Sequence, residues 1–464
     1  MTKTEPSTIS ALPFDEKSLN RTIIRLAVPA ILENLLGTAV FFADTLLIGW
    51  LKDPAALAAI GLSGTYLFIA QGVVMALGIG ALAVVARAWG AGDLHAARRA
   101  AGQSVSLTLV LTLVLTPLMI VLAQPFFTML VQDPNPLMRD TVVGLATEYA
   151  ILIMLGSFLA YPRVVLSMVM RAAGDTRTPM FITLLVNVLN IGLAAAMIFG
   201  FGPIPAMGVR GAGIATSIAQ AIGGLLSFVA LLTGISRPQL SMRDIFVWDK
   251  QEVARIWRLA LPNIVESGIQ RVGFVTFMSI VTSLGAASIA ANQITNSIES
   301  LSFMPGAGLA TAVSTIVGQA LGAGNMRAAE DGTRRSAILG LIFMSTLGVG
   351  FVAFGAQLSS IFGATQEVLD IAANTVRLSA LELPTLALYM IYAAALRGAG
   401  DMRSPMIVSL IGAVFFRVAA VWLFAIYFGM GLDGVWIGTA VDWLARAVII
   451  YALYRRGRWK TLTV

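Results

Sequence analysis

The chain has 464 residues, 58% of them hydrophobic and 12% charged, with a formal net charge of +7. A soluble domain carries about 25% charged residues, so this composition excludes an ordinary water-soluble fold and predicts an all-α polytopic membrane protein. There is no cysteine, which excludes disulfides and thiol chemistry, and the single histidine, His95, falls in a polar connection.

Taken in order, the chain opens on a polar leader, 1–21, without the apolar core of a cleaved signal peptide. Breaks at Gly, Pro and charge clusters then delimit twelve apolar spans. They are 22–51, 55–88, 99–125, 137–170, 178–202, 209–235, 254–284, 287–320, 334–361, 368–396, 404–430 and 433–455. The longest polar connection, between the sixth and seventh spans, holds Trp248 and is followed by Trp257, a pattern expected of a short interfacial helix. It divides the chain into an amino-terminal six-helix lobe (22–235), a linker (236–253), a carboxy-terminal six-helix lobe (254–455) and a tail (456–464). One family of loops carries nearly all the Lys and Arg, while the opposite family holds only Lys52, Arg139 and Arg210. By the positive-inside rule the basic loops and both termini are cytoplasmic, and the protein sits in the cytoplasmic (inner) membrane among its lipids.

The first span contains Asp44, eight residues before Lys52 and fifteen after Pro29. An intramembrane carboxylate costs roughly 2.5–3.5 kcal/mol on insertion scales and normally faces a bundle interior or a water-filled cavity. About 12 Å of helix rise separates it from Lys52, which places it in the outer half of the span. The proline removes one backbone donor and is a natural bend point.

Three stretches recur in order. Arg25-Leu26-Ala27-Val28-Pro29 returns as Arg258-Leu259-Ala260-Leu261-Pro262, and Gly90-Ala91-Gly92-Asp93 as Gly322-Ala323-Gly324-Asn325. Arg171-Ala172-Ala173-Gly174-Asp175 returns as Arg397-Gly398-Ala399-Gly400-Asp401. With six spans in each half, both halves enter the membrane in the same sense and are related by a pseudo-two-fold axis along the membrane normal. Such a pair of bundles is the framework of an alternating-access transporter.

The two-lobe plan, the first-span aspartate, the Arg-Gly-Ala-Gly-Asp-type turns and Glu299-Ser300-Leu301-Ser302-Phe303-Met304-Pro305-Gly306 in the eighth span resemble the multidrug and toxic compound extrusion (MATE) family. The resemblance covers about residues 20 to 455. It implies cation-coupled antiport, driven by protons or sodium, that exports amphipathic, often cationic organic compounds. It implies no cofactor beyond the coupling ion, no nucleic acid partner and a monomer. Asp44, Asn190 and Thr216 match the family's amino-terminal cation site, and Asn187 lies nearly one turn before Asn190. Pro29 is similar to a proline of the DNA-damage-inducible branch. Ala194 departs from the pattern, since many relatives have a second aspartate there, so one formal negative charge remains.

The carboxy-terminal lobe departs further, with Gln270 and Leu386 at positions where one branch has acids. Glu266, one turn before Gln270, either substitutes for the missing acid or, as the repeat partner of Glu33, belongs to shared architecture. Glu299 either pairs with Arg271 or faces the cleft. Arg417, Asp442 and Arg446 are expected to pair, whereas Arg163, Glu148, Arg377 and Glu382 are expected to snorkel from helix ends. A lipid-linked oligosaccharide flippase of the same superfamily is the alternative, though no basic cluster for pyrophosphate is evident. An intramembrane enzyme has no supporting nucleophile or metal motif, and a channel no selectivity ring.

Overall fold

The computed structural model describes residues 18–131 and 134–462. Most of the expected leader, positions 1–17, lies outside the described residues, as do the last two positions of the tail. The described chain is a succession of helices: α1 (Leu19–Gly49), α2 (Pro54–Gly90), α3 (Leu94–Leu130), α4 (Pro136–Ala172), α5 (Arg177–Phe199) and α6 (Gly208–Leu232), then the short α7 (Met242–Phe246). After it come α8 (Lys250–Ser283), α9 (Ala286–Gly322), α10 (Met326–Ser360), α11 (Gln366–Ser379), α12 (Leu383–Gly398), α13 (Arg403–Tyr427) and α14 (Gly431–Arg455). Eleven of these are long and apolar enough to cross a membrane; α11 and α12, bent by 49° at their break, together make the twelfth span. This is a multi-pass membrane protein of two six-helix lobes.

Local chemistry sets the helix ends. Pro136 opens α4, where its missing N–H is not needed, and the Asn135 side chain accepts from Leu137 N at 3.1 Å. The repeated Arg-Gly-Ala-Gly-Asp turn closes one helix and opens the next. Gly174 (φ 90°) and Gly400 (φ 93°) take left-handed backbone that a side chain would strain. The aspartate that follows caps the next helix: Asp175 Oδ1 accepts from Thr178 N and Asp401 Oδ1 from Ser404 N, each at 3.0 Å.

The chain packs as two compact units. The amino-terminal unit comprises Leu32–Val85 and Leu94–Ala260; the carboxy-terminal unit takes the described residues up to Ile31, then Ala86–Asp93 and everything from Leu261 onward. The division thus runs through α1, α2 and α8 and not only along the linker. Its cause is visible in the first turns of α1, whose Leu19, Ile23, Leu26 and Ala27 are buried in the carboxy-terminal core.

In the amino-terminal unit α4 packs against α3 and α6, and α6 against α5. The linker contributes α7, capped by Ser241 and Asp244 and docked on α3. Gln103 donates to the carbonyls of Asp244 and Val247 (3.0 and 2.7 Å) and accepts from Asp249 N at 2.9 Å. A single amide thereby satisfies three backbone groups. Met242, Phe246, Val247 and Trp248 remain exposed, as suits a segment at the interface of bilayer and water.

In the carboxy-terminal unit, α9 and α12 form the centre, with Trp436 and Trp443 of α14 against them. The last turns of α2 and α9 cross at two glycines related by the repeat. A Cβ on Gly90 would run into the Gln319 carbonyl, and one on Gly322 into the Arg87 carbonyl. Asp442 binds both Arg417 (Nε, 2.8 Å) and Arg446 (Nη2, 2.6 Å), the expected triad. Both guanidiniums also lie over the Trp443 ring, at 5.2 and 4.6 Å. In α13, two π-helical stretches, Ile411–Phe416 and Trp422–Tyr427, flank Arg417.

Two expectations fail here. Glu382 does not snorkel: it is 0% exposed at the α11–α12 break, beside Glu299 and Arg417. Arg163 does not reach a helix end either, but turns inward to Thr183 and Gln220. Distance from a helix terminus in sequence says nothing of whether that terminus is itself covered. Glu148 and Arg210 form a half-exposed pair at 3.1 Å.

Candidate functional site

Asp44 lies on α1, inside the amino-terminal unit, and is 1% exposed. A carboxylate buried there must find donors or be neutralised. Three helices supply its surroundings. From α6, Thr216 Oγ1 donates to Asp44 Oδ2 at 2.7 Å; from α4, Tyr149 Oη donates to the same oxygen at 3.2 Å. From α5, Asn190 Nδ2 donates to Thr216 Oγ1 at 2.8 Å. The Thr216 hydroxyl thus spends its one proton on the acid and takes a bond from the amide, so Asn190 acts on Asp44 through it.

The cage leaves acceptors over. Asp44 Oδ1 and Asn190 Oδ1 are buried without a donor, and so is Asn187 Oδ1. Buried oxygens normally have a partner, so each needs an explanation. A proton on Asp44 or a hard cation ligated by oxygen would answer for them, since such cations prefer carboxylate and carbonyl ligands. Ala194, at the position of the absent second acid, is fully buried among Leu47, Ile48, Tyr149 and Ala215, so a methyl group fills the place of a carboxylate.

Of the sequence-expected residues, Asp44, Asn190 and Thr216 come together directly. Asn187 sits apart from the acid and donates to the Leu36 carbonyl of α1 at 2.6 Å, tying α5 to the same helix. Tyr149 was not anticipated; its only signal is a hydroxyl in an otherwise apolar stretch of α4.

Glu266, on α8 in the carboxy-terminal unit, is bonded to Arg397 (2.6 Å), Ser409 (2.8 Å) and, more loosely, Tyr389 and Gln270 (both 3.4 Å). Its repeat counterpart Glu33 is bound by Arg171 at 2.6 Å, so the geometry accords with shared architecture. At the position the repeat assigns to Asp44, Phe277 is buried with the Arg417 guanidinium 6.0 Å from its ring. The second unit thus sets a ring and a cation where the first sets an acid.

Comparison with known proteins follows the same line. Residues 29–196 and 262–423 match the MatE family model. The chain is 34% identical to the probable multidrug resistance protein NorM of Thermotoga maritima, covering 98% of this chain and 96% of that one. It is 30% identical to the protein of that name from Rhizobium meliloti, over 93% and 92%. Among solved structures, a MATE protein in a bent conformation superposes with a TM-score of 0.88 at 22% identity, covering 98% of both chains. An outward-facing multidrug resistance transporter of the MOP superfamily gives 0.89 at 22%, over 99% and 100%.

Proposed function

The chain belongs to the MatE family of transporters, and from that premise we propose that it is a cation-coupled antiporter exporting amphipathic, often cationic organic compounds. The observation that carries the coupling is Asp44: one buried carboxylate, bonded on one oxygen only, in a cage drawn from α4, α5 and α6. A proton or a sodium ion neutralises it. When the ion arrives, Thr216 and Tyr149 lose their charged acceptor and rearrange, the unit repacks, and affinity for substrate falls. Release of the ion restores the cage, so ion and substrate compete. Pro29 lies inside α1, fifteen residues before Asp44, and gives the helix a place to bend. That feature favours the DNA-damage-inducible branch.

With one carboxylate and no second acid at Ala194, the proton is the favoured ion. The basic loops and both termini are then cytoplasmic, the location is the inner membrane, and the working form is a monomer. A flippase for lipid-linked oligosaccharides is disfavoured by the multidrug relatives.

The test is transport of ethidium into proteoliposomes with a pH gradient or a sodium gradient imposed separately, for wild type and Asp44→Asn. Accumulation in the wild type under one gradient and its loss in the variant are expected. Equal transport by both proteins would remove Asp44 from the mechanism.

A further inference from the structure

Arg163 of α4 is a cation held inside the amino-terminal unit by neutral groups alone. Its Nη1 donates to Thr183 Oγ1 of α5 at 3.1 Å and its Nη2 to Gln220 Oε1 of α6 at 2.9 Å. Its Nε is buried without a partner. The slot is built for it: Gly223 leaves the space its stem occupies, for a Cβ there would stand 3.0 Å from Arg163 Cδ. No carboxylate pairs with it among the described residues. The charged groups that face it, Glu33 of α1 and Arg171 of α4, are bound to each other and cancel. An unpaired cation inside a membrane bundle is costly and calls for a role.

Its place supplies one. Gln220 follows Thr216 by one turn of α6, about 6 Å, and Thr183 precedes Asn190 by two turns of α5, about 10 Å. The Arg163 cage therefore stacks on the Asp44 cage along the same two helices, on the side of the basic Arg171–Arg177 turn. With Glu33 and Arg171 cancelling, the charges left are Asp44 and Arg163. They balance when Asp44 is ionised; when an ion neutralises Asp44, the positive charge of Arg163 stands alone.

We propose that Arg163 is the fixed counter-charge of Asp44 and forms an electrostatic floor that keeps the coupling cation from running on through the amino-terminal unit. It is a positioning residue: it touches no ion but confines the one that Asp44 carries. The inference rests on the reading of Asp44 as the coupling group.

The test separates charge from mechanical tie. Arg163→Gln removes the charge. Gln220→Glu keeps the bond between α4 and α6 and neutralises the charge in place. Thr183→Val and Arg163→Lys keep the charge. Each protein is reconstituted, and the collapse of an imposed pH or sodium gradient is followed with a dye in the absence of substrate. Arg163→Gln and Gln220→Glu are both expected to collapse the gradient about tenfold faster than wild type, the order expected for loss of one charge at this range. Thr183→Val and Arg163→Lys are expected to stay tight. If Gln220→Glu is as tight as wild type, Arg163 is only a tie and the proposal fails, whatever Arg163→Gln does. Ethidium transport by the wild type that ignores both gradients would instead overturn the Asp44 reading, and the two failures are told apart in the same vesicles.

Discussion

Arg397 Nη2 stands 2.6 Å from Glu266 Oε1 in the carboxy-terminal unit, and Arg171 Nη2 stands 2.6 Å from Glu33 Oε2 in the amino-terminal one. In each case the arginine opens the Arg-Gly-Ala-Gly-Asp-type turn and the acid follows the proline of the repeated Arg-Leu-Ala-x-Pro stretch by four residues. Two of the repeated motifs are thus the two ends of one ion pair, made once per unit.

Breaking such a pair leaves a buried charge without a partner, at a cost of about 3–5 kcal/mol. Glu266→Leu and Arg397→Leu should each lower the unfolding temperature of the purified protein markedly. The double variant should recover most of the loss, because no charge is stranded. A double variant less stable than either single one would mean the pair is not the source of the effect.

The bonds to Asp44 differ in length, which sets an order of effects. Thr216→Val removes the 2.7 Å bond and strands the Asn190 amide; Tyr149→Phe removes only the 3.2 Å bond. A hydrogen bond to a charged group contributes roughly 1.5–3 kcal/mol. The Thr216 variant should therefore change the half-saturating ion concentration by about tenfold or more, and the Tyr149 variant by less. Titration of transport rate against pH and against sodium reads both; a larger effect for Tyr149→Phe would contradict the geometry.

Ala194 offers a gain-of-function test. Ala194→Asp places a second carboxylate in the cluster that includes Tyr149, Leu47 and Ala215. Overpacking there costs about 1–3 kcal/mol, so the variant should unfold at lower temperature. In return, sodium should both stimulate transport at fixed pH and raise the variant's thermal stability, by binding the native state. Neither response to sodium would place position 194 outside the ion's reach.

The α2–α9 crossing should be intolerant of any side chain. Gly90→Ala and Gly322→Ala each set a methyl group against a backbone carbonyl, which cannot turn aside as a side chain does. Each should cost about 2 kcal/mol or more and reduce the yield of monodisperse protein. Gly61→Ala, where a Cβ would meet nothing within 4 Å, is the control.

Much of this was legible in the sequence, for reasons that can be stated. Twelve apolar runs fixed the helix number because a bilayer sets a minimum length. The α11–α12 break lay hidden inside the run 368–396, although Pro384 marks the start of α12. Asp44, Asn190 and Thr216 could be named because a polar group in an apolar helix stands out. Tyr149 could not, since tyrosine is ordinary in membrane helices and only the fold brings its hydroxyl to the acid. Arg163 and Glu382 were misjudged because position along a helix carries no information about which face is covered. Asn187 shows the limit of helical spacing: three residues from Asn190, it reaches the α1 backbone instead of the acid.

The π-helical stretches of α13 have a consequence for its lineage. Each wide turn holds about one residue more than an α-helix needs over the same rise. Deleting one residue within Ile411–Phe416 would let the turn relax to α-helix and swing all that follows by about 100°. Arg417 is the first residue beyond that stretch, so the change would carry it off Asp442 and leave Arg446 the acid's only partner in the triad. Length variation in this helix is therefore constrained, not by the membrane it must span, but by the bearing of one guanidinium.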